Sequence, residues 1–171
     1  MDFGELLDAY EKPIYNLIFR LIGDRDEAAD LTQETFVSAY KSYSKFKAES
    51  SEYTWLYRIA VNKCKNKFKE RATQRVSFSL DDELARDESF GGSDTTYSPE
   101  AAFERKELKE RIIQAMSQLP PDYRIVAVLR DLHGLSYQEI ANVADLSVDV
   151  VRTRITRARG MLRKKLMEYL I

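Results

Sequence analysis

Apolar residues recur at spacings of three and four along the first twenty residues of the chain. This period matches the 3.6-residue turn of an α-helix and predicts a first helix from about Phe3 to Leu21. Pro13 lies inside this helix, and because proline removes a backbone donor we expect it to kink or split the helix. Gly23 predicts the end of the helix, and Asp24 predicts the N-cap of the next one.

A second amphipathic helix is predicted after Asp24. Its apolar face comprises Ala28, Leu31, Thr35, Phe36 and Ala39. Its polar face comprises Asp26, Glu27, Asp30, Gln33 and Glu34. A less regular stretch from Tyr43 to Tyr53 separates this helix from a third one, which we expect to begin with Thr54 as a cap and to end near Arg71.

Residues 72–100 differ from the segments on either side. Serine, threonine, glycine and acidic residues dominate there, and the few apolar residues are too sparse to build a core. Such a composition is typical of a flexible acidic linker. Helical periodicity returns in residues 101–171. The sequence therefore predicts an all-α fold with two small helical domains, residues 1–71 and 101–171, joined by this linker.

Charge is sorted along the chain although the 171 residues carry a net charge of only -1. The net charge is −6 over residues 1–34, +6 over 35–71, −5 over 72–100 and +4 over 101–171. Two basic blocks held apart by an acidic one indicate two surfaces that contact anions. The alternative is chance clustering of charge on solvated helix faces.

The chain has little of the chemistry that enzymes and metal sites require. One cysteine, Cys64, excludes an internal disulfide and a cysteine-rich zinc site, and one histidine, His133, excludes a cluster of histidine ligands. The sequence contains neither a glycine-rich phosphate loop nor a paired nucleophile and base, so we expect no enzymatic activity and no cofactor. Cys64 is expected to be a small buried residue, and His133 a C-terminal helix cap before Gly134.

No apolar run approaches the roughly 20 residues that a membrane span needs. The first residues are acidic and lack the basic-then-apolar order of a signal peptide. We therefore expect a cytoplasmic location without direct membrane insertion.

Residues 136–163 carry the pattern of a helix-turn-helix. Ser136 and Glu139 form a capping box at the start of one short helix. Asp145 follows in a tight turn, where we expect a left-handed backbone, and Ser147 is expected to cap a second helix. Three residues of this second helix would face inward: Val151, Ile155 and Leu162. Its outward side is basic and carries Arg152, Arg154, Arg157, Arg159, Arg163, Lys164 and Lys165.

Two short helices of which the second is basic are typical of a motif that lays a recognition helix in the DNA major groove. Residues at the start of the second helix would reach base edges, and the later arginines would pair with phosphates. The expected duplex-DNA contacts are Ser147, Asp149, Val150, Arg152, Thr153, Arg154, Arg157 and Arg159. The alternative is a basic helix that only faces solvent.

Several motifs resemble those of bacterial sigma factors, in the family's order and spacing. Residues 30–36 resemble the core-polymerase-binding motif of region 2, and residues 54–62 resemble the region-2 helix that follows it. The motifs that resemble region 4 lie at residues 119–121, 129–130, 134–141 and 157–159. Together the chain resembles an extracytoplasmic-function (ECF) sigma factor, from the two-domain group of the sigma-70 family.

The resemblance implies an alternative sigma factor that binds core RNA polymerase and directs promoter-specific transcription initiation. Asp30, Gln33 and Glu34 would contact the clamp helices of the polymerase β′ subunit. The helix-turn-helix would read the minus-35 element as duplex. The residues implied to bind the melted minus-10 element are Phe46, Tyr53, Arg58, Asn62, Lys63, Asn66 and Lys69. Trp55 is expected to be structural.

The resemblance also implies the partners of the chain. These are promoter DNA, the β′ and β subunits of bacterial core RNA polymerase, and an anti-sigma factor. Because anti-sigma factors of this group are often membrane-anchored, such a partner would hold the chain at the inner membrane face.

Four positions depart from the family pattern, and a rival interpretation accounts for part of the chain. Asp149 begins the recognition helix where glycine is usual, and Asp145, Ala29 and Thr156 replace a common glycine, acid and aromatic or histidine. Asp149 would repel phosphate unless it accepts from a cytosine amine or caps the helix. The rival, a stand-alone DNA-binding regulator, explains only the second domain.

Overall fold

The computed structural model describes residues 2–46, 51–77 and 99–169. Within these ranges the chain is helical and contains no β-strand, which confirms the predicted all-α fold. The α-helices are α1 (Phe3–Ile22), α2 (Arg25–Ser42), α3 (Glu52–Ser77), α4 (Pro99–Ser117), α5 (Pro121–Ala127), α6 (Tyr137–Ala144) and α7 (Val148–Tyr169). A 3₁₀ turn, Tyr43–Lys45, follows α2, and a π-helical turn, Val128–Leu132, follows α5. None of the helices in the described ranges has the length and apolarity to cross a membrane.

Helix α2 begins where the capping residues predict. Helix α1, however, is not interrupted at its proline. Gly23 adopts the left-handed conformation at φ 85°, and the Asp24 carboxylate accepts a hydrogen bond from the Glu27 amide at 2.9 Å. The expected split at Pro13 is wrong, because α1 is continuous through this residue. Proline removes a single backbone hydrogen bond, and burial of the following apolar residues, such as Ile14, holds the helix together.

Helices α1, α2 and α3 pack together into one unit, here called the N-terminal unit. The predicted apolar face of α2 is buried in it, as are Cys64 and Leu56 of α3. Ser51, and not Thr54, caps α3, because the Ser51 hydroxyl accepts from the Thr54 amide at 3.3 Å. Helix α3 also continues beyond its predicted end at Arg71. That arginine donates to the Ile22 carbonyl at 2.9 Å and pairs with Glu27, which ties the late turns of α3 to the start of α2.

Helices α4 to α7 form a second unit, here called the C-terminal unit. The predicted inward residues of α7, Val151, Ile155 and Leu162, are buried against α5 and α6. Of the predicted linker, residues 78–98 lie outside the described ranges. Its two ends, 72–77 and 99–100, belong to α3 and α4.

The two units pack against each other. Helix α3 contacts α6 and α5, and α1 contacts α4, α5 and the π-helical turn. Buried apolar side chains of both units form one continuous cluster. Arg124 of α5 reaches across and donates to the Leu21 carbonyl of α1 at 2.6 Å. The two units therefore form one closed molecule.

Candidate nucleic-acid interface

The helix-turn-helix has the local geometry that its sequence predicts. The Ser136 hydroxyl accepts from the Glu139 amide at 3.1 Å, and the Glu139 carboxylate accepts from the Ser136 amide at 2.9 Å. Asp145 is left-handed with φ 58°. The Ser147 hydroxyl accepts from the Val150 amide at 3.2 Å and so caps α7. These bonds satisfy free amides at the starts of α6 and α7.

Burial of one side of α7 determines which residues face outward. Val151, Ile155 and Ala158 are buried. The predicted duplex-DNA residues that are exposed are Ser147, Asp149, Val150, Arg152, Thr153, Arg157 and Arg159. Arg154 is half-buried. The eight predicted residues thus lie between Ser147 and Arg159, just before α7 or within it, and they are distributed around the part of the helix that the core does not cover.

Three arginines of α7 are paired with aspartates of the C-terminal unit. The pairs are Arg152–Asp149 at 3.0 Å, Arg154–Asp122 at 4.0 Å and Arg159–Asp131 at 3.1 Å. Because these pairs are largely exposed, each contributes little to stability. A phosphate group can take the place of the carboxylate in such a pair.

Two residues beside the recognition helix were not anticipated from the sequence. Asp122 and Tyr123, at the start of α5, line a shallow groove with residues of α7. The α7 residues in this groove are Asp149, Val150, Thr153, Arg154 and Arg157. Periodicity could not have identified Asp122 and Tyr123, because only the fold brings the start of α5 against α7.

Helix α3 presents an exposed polar stripe. Arg58, Asn62, Asn66 and Lys69 are spaced by four, four and three residues, so they lie on one side of the helix, and all four are exposed. Lys63 lies on an adjacent side and is half-buried. Cations and amides in a row match what a single-stranded backbone and base edges require.

The aromatic residues near the start of α3 pack on one another. The Phe46 ring lies 4.8 Å from the Trp55 ring, centroid to centroid, and Trp55 also contacts Tyr43 at 6.0 Å. The Tyr53 ring meets the Tyr57 ring edge-on at 6.0 Å. Phe46 and Tyr53 are each half-buried, so each side chain keeps a partly open surface.

The outward face of α2 carries the predicted polymerase contacts. Asp30, Gln33 and Glu34 are all exposed there. The same face continues into two apolar side chains that the sequence analysis did not single out, Val37 and Tyr40, which are 54% and 68% exposed. Both could have been identified from the sequence, because they are apolar residues that lie outside the predicted buried face of α2.

Cys64 and His133 are both held in neutral forms at pH 7. Burial raises the pKa of the Cys64 thiol to about 12, so it stays protonated. Burial, with a smaller contribution from Arg20, lowers the pKa of His133 to about 4, so its ring is neutral at pH 7. The His133 backbone caps the π-helical turn as predicted, while its Nδ1 lies 2.9 Å from the Tyr57 hydroxyl oxygen.

The two units match two separate family models. The model of Sigma-70 region 2 matches residues 6–74, and the model of Sigma-70, region 4 matches residues 109–162. Among curated proteins, the chain is 39% identical to the RNA polymerase sigma-H factor of Pseudomonas aeruginosa over 98% of this chain and 88% of that protein. It is 37% identical to the ECF RNA polymerase sigma-E factor of Escherichia coli (strain K12) over 95% and 85%.

Solved structures share the fold. The sigma factor RpoE in complex with the anti-sigma factor NepR, from Bartonella quintana, has a TM-score of 0.72 and 22% identity over 97% of both chains. CnrH in complex with the cytosolic domain of CnrY has a TM-score of 0.67 and 23% identity over 97% of this chain and 88% of that one. The family models and the curated relatives show that the chain belongs to the sigma-70 family, in its extracytoplasmic-function group.

Proposed function

We propose that this alternative sigma factor, which directs transcription initiation, divides its work among three helical surfaces. The outward face of α2 binds core RNA polymerase, the stripe on α3 binds the melted minus-10 element, and α7 reads the minus-35 duplex. In this division residues 1–71 serve polymerase and minus-10 binding, residues 101–171 serve minus-35 binding, and residues 72–100 connect them. The observation that supports the proposal is that one chain has both the α3 stripe and the capped helix-turn-helix.

The charges of the surfaces support this division. The outward face of α2 combines the acidic and amide side chains of Asp30, Gln33 and Glu34 with exposed Val37 and Tyr40. Apolar area rimmed by polar groups is typical of a protein interface. The α3 stripe has no acidic member, and α7 exposes arginines, which is what a nucleic-acid backbone requires.

Asp149 adds a carboxylate acceptor to the start of the basic recognition helix. It is bonded to Arg152 at 3.0 Å, and its side chain is 92% exposed. Side by side, a carboxylate acceptor and a guanidinium donor match a cytosine amine and a guanine edge. We therefore expect this factor to prefer a G·C-containing minus-35 element at the bases next to Asp149.

Run-off transcription tests the proposed function. Purified chain is added to sigma-free bacterial core polymerase with a library of promoter fragments, and we expect transcripts that depend on the chain. A triple variant, Asp30→Ala, Gln33→Ala and Glu34→Ala, should lose co-elution with core. A control with three exposed residues elsewhere on the N-terminal unit changed, Asp8→Ala, Glu11→Ala and Asn16→Ala, should keep it. Duplex DNA binding without core, combined with no transcripts, would instead indicate a stand-alone regulator.

We also propose an anti-sigma factor as a partner, with the chain acting in the cytoplasm where polymerase and promoters are. The solved sigma factor RpoE, which has this fold, is in complex with the anti-sigma factor NepR, which supports the proposal. Affinity purification from the native cell should return such a protein together with polymerase. Recovery of polymerase alone, from cells in which the factor is inactive, would contradict it.

A further inference from the structure

A row of aromatic rings connects the outward face of α2 to the segment before α3. The Phe3 ring of α1 meets the Tyr40 ring of α2 at 5.2 Å between centroids and the Tyr43 ring at 5.6 Å, edge-on in both cases. From Tyr43 the ring contacts continue to Trp55, and from Trp55 to Phe46. We call these five residues the aromatic chain. Within it, Phe3 links Tyr40 to the other three rings.

The two ends of the aromatic chain lie on surfaces to which we assign different partners. Tyr40 continues the outward face of α2, which we assign to polymerase, and its side chain is 68% exposed. Phe46 is half-buried and belongs to the residues that we assign to the melted minus-10 element. The three rings between these ends, Phe3, Tyr43 and Trp55, are half-buried. The middle of the aromatic chain is therefore packed into the N-terminal unit.

A capping box holds the first turn of α1 and with it the Phe3 ring. The Asp2 carboxylate accepts from the Glu5 amide at 2.8 Å, and the Glu5 carboxylate accepts from the Asp2 amide at 3.0 Å. These bonds start the helix directly at Phe3, and a residue inside a helix has few side-chain rotamers available. The ring of Phe3 is therefore presented to Tyr40 and Tyr43 in a defined direction.

The contacts of Phe3 restrict both ends of the aromatic chain. The edge-on contact with Phe3 favours one orientation of the exposed Tyr40 ring, and a side chain that is already ordered loses less entropy when a partner binds. At the other end, the Phe46 amide donates to the Tyr43 carbonyl at 3.1 Å. The contact of Phe3 with Tyr43 therefore also helps to fix the backbone from which the Phe46 ring extends.

We propose that Phe3 is a positioning residue for two partners. Its ring orients Tyr40 for polymerase and, through Tyr43 and Trp55, orients Phe46 for single-stranded minus-10 DNA. The first turn of α1 then serves both contacts from outside the two assigned surfaces. This inference rests on the proposed function of α2 and of the minus-10 residues, and it adds to that function a residue that neither partner touches.

Affinity for sigma-free bacterial core polymerase tests the first role. Phe3→Leu removes the ring but keeps an apolar side chain, and it should weaken binding about five-fold, as for loss of one aromatic contact. Phe3→Tyr keeps the ring and should bind like wild type. The matched control is Tyr15→Leu, which removes a ring of α1 that stacks on Phe19 at 6.0 Å, about three turns away; it should also bind like wild type. Competition against fluorescently labelled wild-type chain measures these affinities.

Binding of forked DNA by the assembled holoenzyme tests the second role. The probe has, as single strand, the minus-10 element of a promoter selected by run-off transcription, and it lacks a minus-35 element. With core polymerase at saturating concentration, Phe3→Leu should weaken probe binding about five-fold, whereas Phe3→Tyr and Tyr15→Leu should not. Asp2→Ala, which weakens the capping box and keeps every ring, should shift both affinities in the same direction as Phe3→Leu.

Double-mutant cycles separate positioning from a purely structural role. If Phe3 acts through Tyr40, Phe3→Leu should cause no further loss of core affinity in a chain that already has Tyr40→Ala. In the same way, it should cause no further loss of probe binding in a chain that already has Phe46→Ala. A ring that only stabilises the N-terminal unit would change the melting temperature of the chain and neither affinity. Full additivity in either cycle would overturn the role assigned to Phe3 at that end.

The outcomes separate this inference from the proposed function. If Tyr40→Ala weakens core binding and Phe46→Ala weakens probe binding, while Phe3→Leu weakens neither, the positioning role is wrong and the assigned surfaces stand. If Tyr40→Ala and Phe46→Ala also have no effect, both the inference and these two assignments are wrong. If Phe3→Leu weakens binding and Phe3→Tyr weakens it equally, the ring of Phe3 is not the group that positions its neighbours.

Discussion

The imidazole of His133 lies between the two units, near the Tyr57 hydroxyl and within the influence of Arg20. Protonation would not by itself break the contact to Tyr57, because an imidazolium can donate to the hydroxyl oxygen. It would instead place a cation in a buried position close to a guanidinium. The position of this residue therefore makes the packing of the units sensitive to pH.

Acid should open the closed chain. The pKa of His133 is about 4 when the units are packed and about 6.5 when the ring is exposed, so the open state binds more protons between these values. Packing is then strongest above about pH 6.5 and weakens as the pH falls towards about 4. Scattering as a function of pH should show this change. The His133→Gln variant should lose the part of the change that lies between these values, and identical profiles would contradict the argument.

Arg157 and Arg154 should both contribute to duplex binding through phosphate contacts. Replacing either with alanine should weaken promoter binding and lower the slope of log affinity against log salt by about 0.9, since one fewer counterion is released. A titration of duplex binding over a range of salt concentrations measures this slope. Lys106→Ala on exposed α4 is the control, and unchanged slopes for both arginine variants would exclude the phosphate role.

At the scale of the element, the short helix α6 depends on its ends. It has only eight residues, and isolated helices of that length are unstable in water. The capping box at Ser136 and the left-handed Asp145 close both ends. Ile140 is fully buried, and the helix packs against α3 and α7. Helix α6 therefore holds its place through caps and one apolar face.

The cap of α6 should contribute measurably to stability. Ser136→Ala removes the acceptor for the Glu139 amide, and it should lower the unfolding free energy by about 1 kcal/mol. Urea denaturation followed by circular dichroism measures the loss. Ser44→Ala, at an exposed position in the 3₁₀ turn, should change the unfolding free energy by less than about 0.5 kcal/mol. Equal losses in the two variants would mean that the cap contributes nothing specific.

Local signals predicted the helix ends well because a cap involves only neighbouring residues, as at Gly23, Asp24 and Ser136. One error was local, because Ser51 and not Thr54 caps α3. The other two arose where a distant contact decides. Helix α1 continues through Pro13 because its buried side is held by other helices, and α3 extends past Arg71 because that side chain bonds to the start of α2. The periodicity of one helix contains no information about such partners.

At the scale of the whole molecule, the sequence indicated the family and two helical units but not how they pack. Tyr57 and His133 are 76 residues apart, and neither residue type has a pattern that would pair them. The minus-10 residues on α3 were named from the resemblance to region 2, and their assignment stays a prediction. The bond from Lys65 to the Ala144 carbonyl was not predicted, because the packing of α6 on α3 alone creates it.

Polymerase and promoter should separate the units. Dyes attached through Glu11→Cys on α1 and Lys164→Cys on α7 should show high energy transfer in the free chain and low transfer after core polymerase and promoter DNA are added. The expected separation is tens of ångströms, roughly the distance between the two elements. Core polymerase carrying the same labelled chain in which Asp30, Gln33 and Glu34 are alanine provides the control. Transfer that stays high in an active transcription complex would contradict an open bound state.

The buried thiol of Cys64 can report how often the core of the protein opens. The side chain is 0% exposed, and its raised pKa keeps it protonated, so an alkylating reagent can modify it only in molecules in which the core around α3 has opened. The ratio of the alkylation rate in buffer to the rate in denaturant then gives the fraction of time that this part of the core is open. One native atom thus reports how often the core is exposed to solvent.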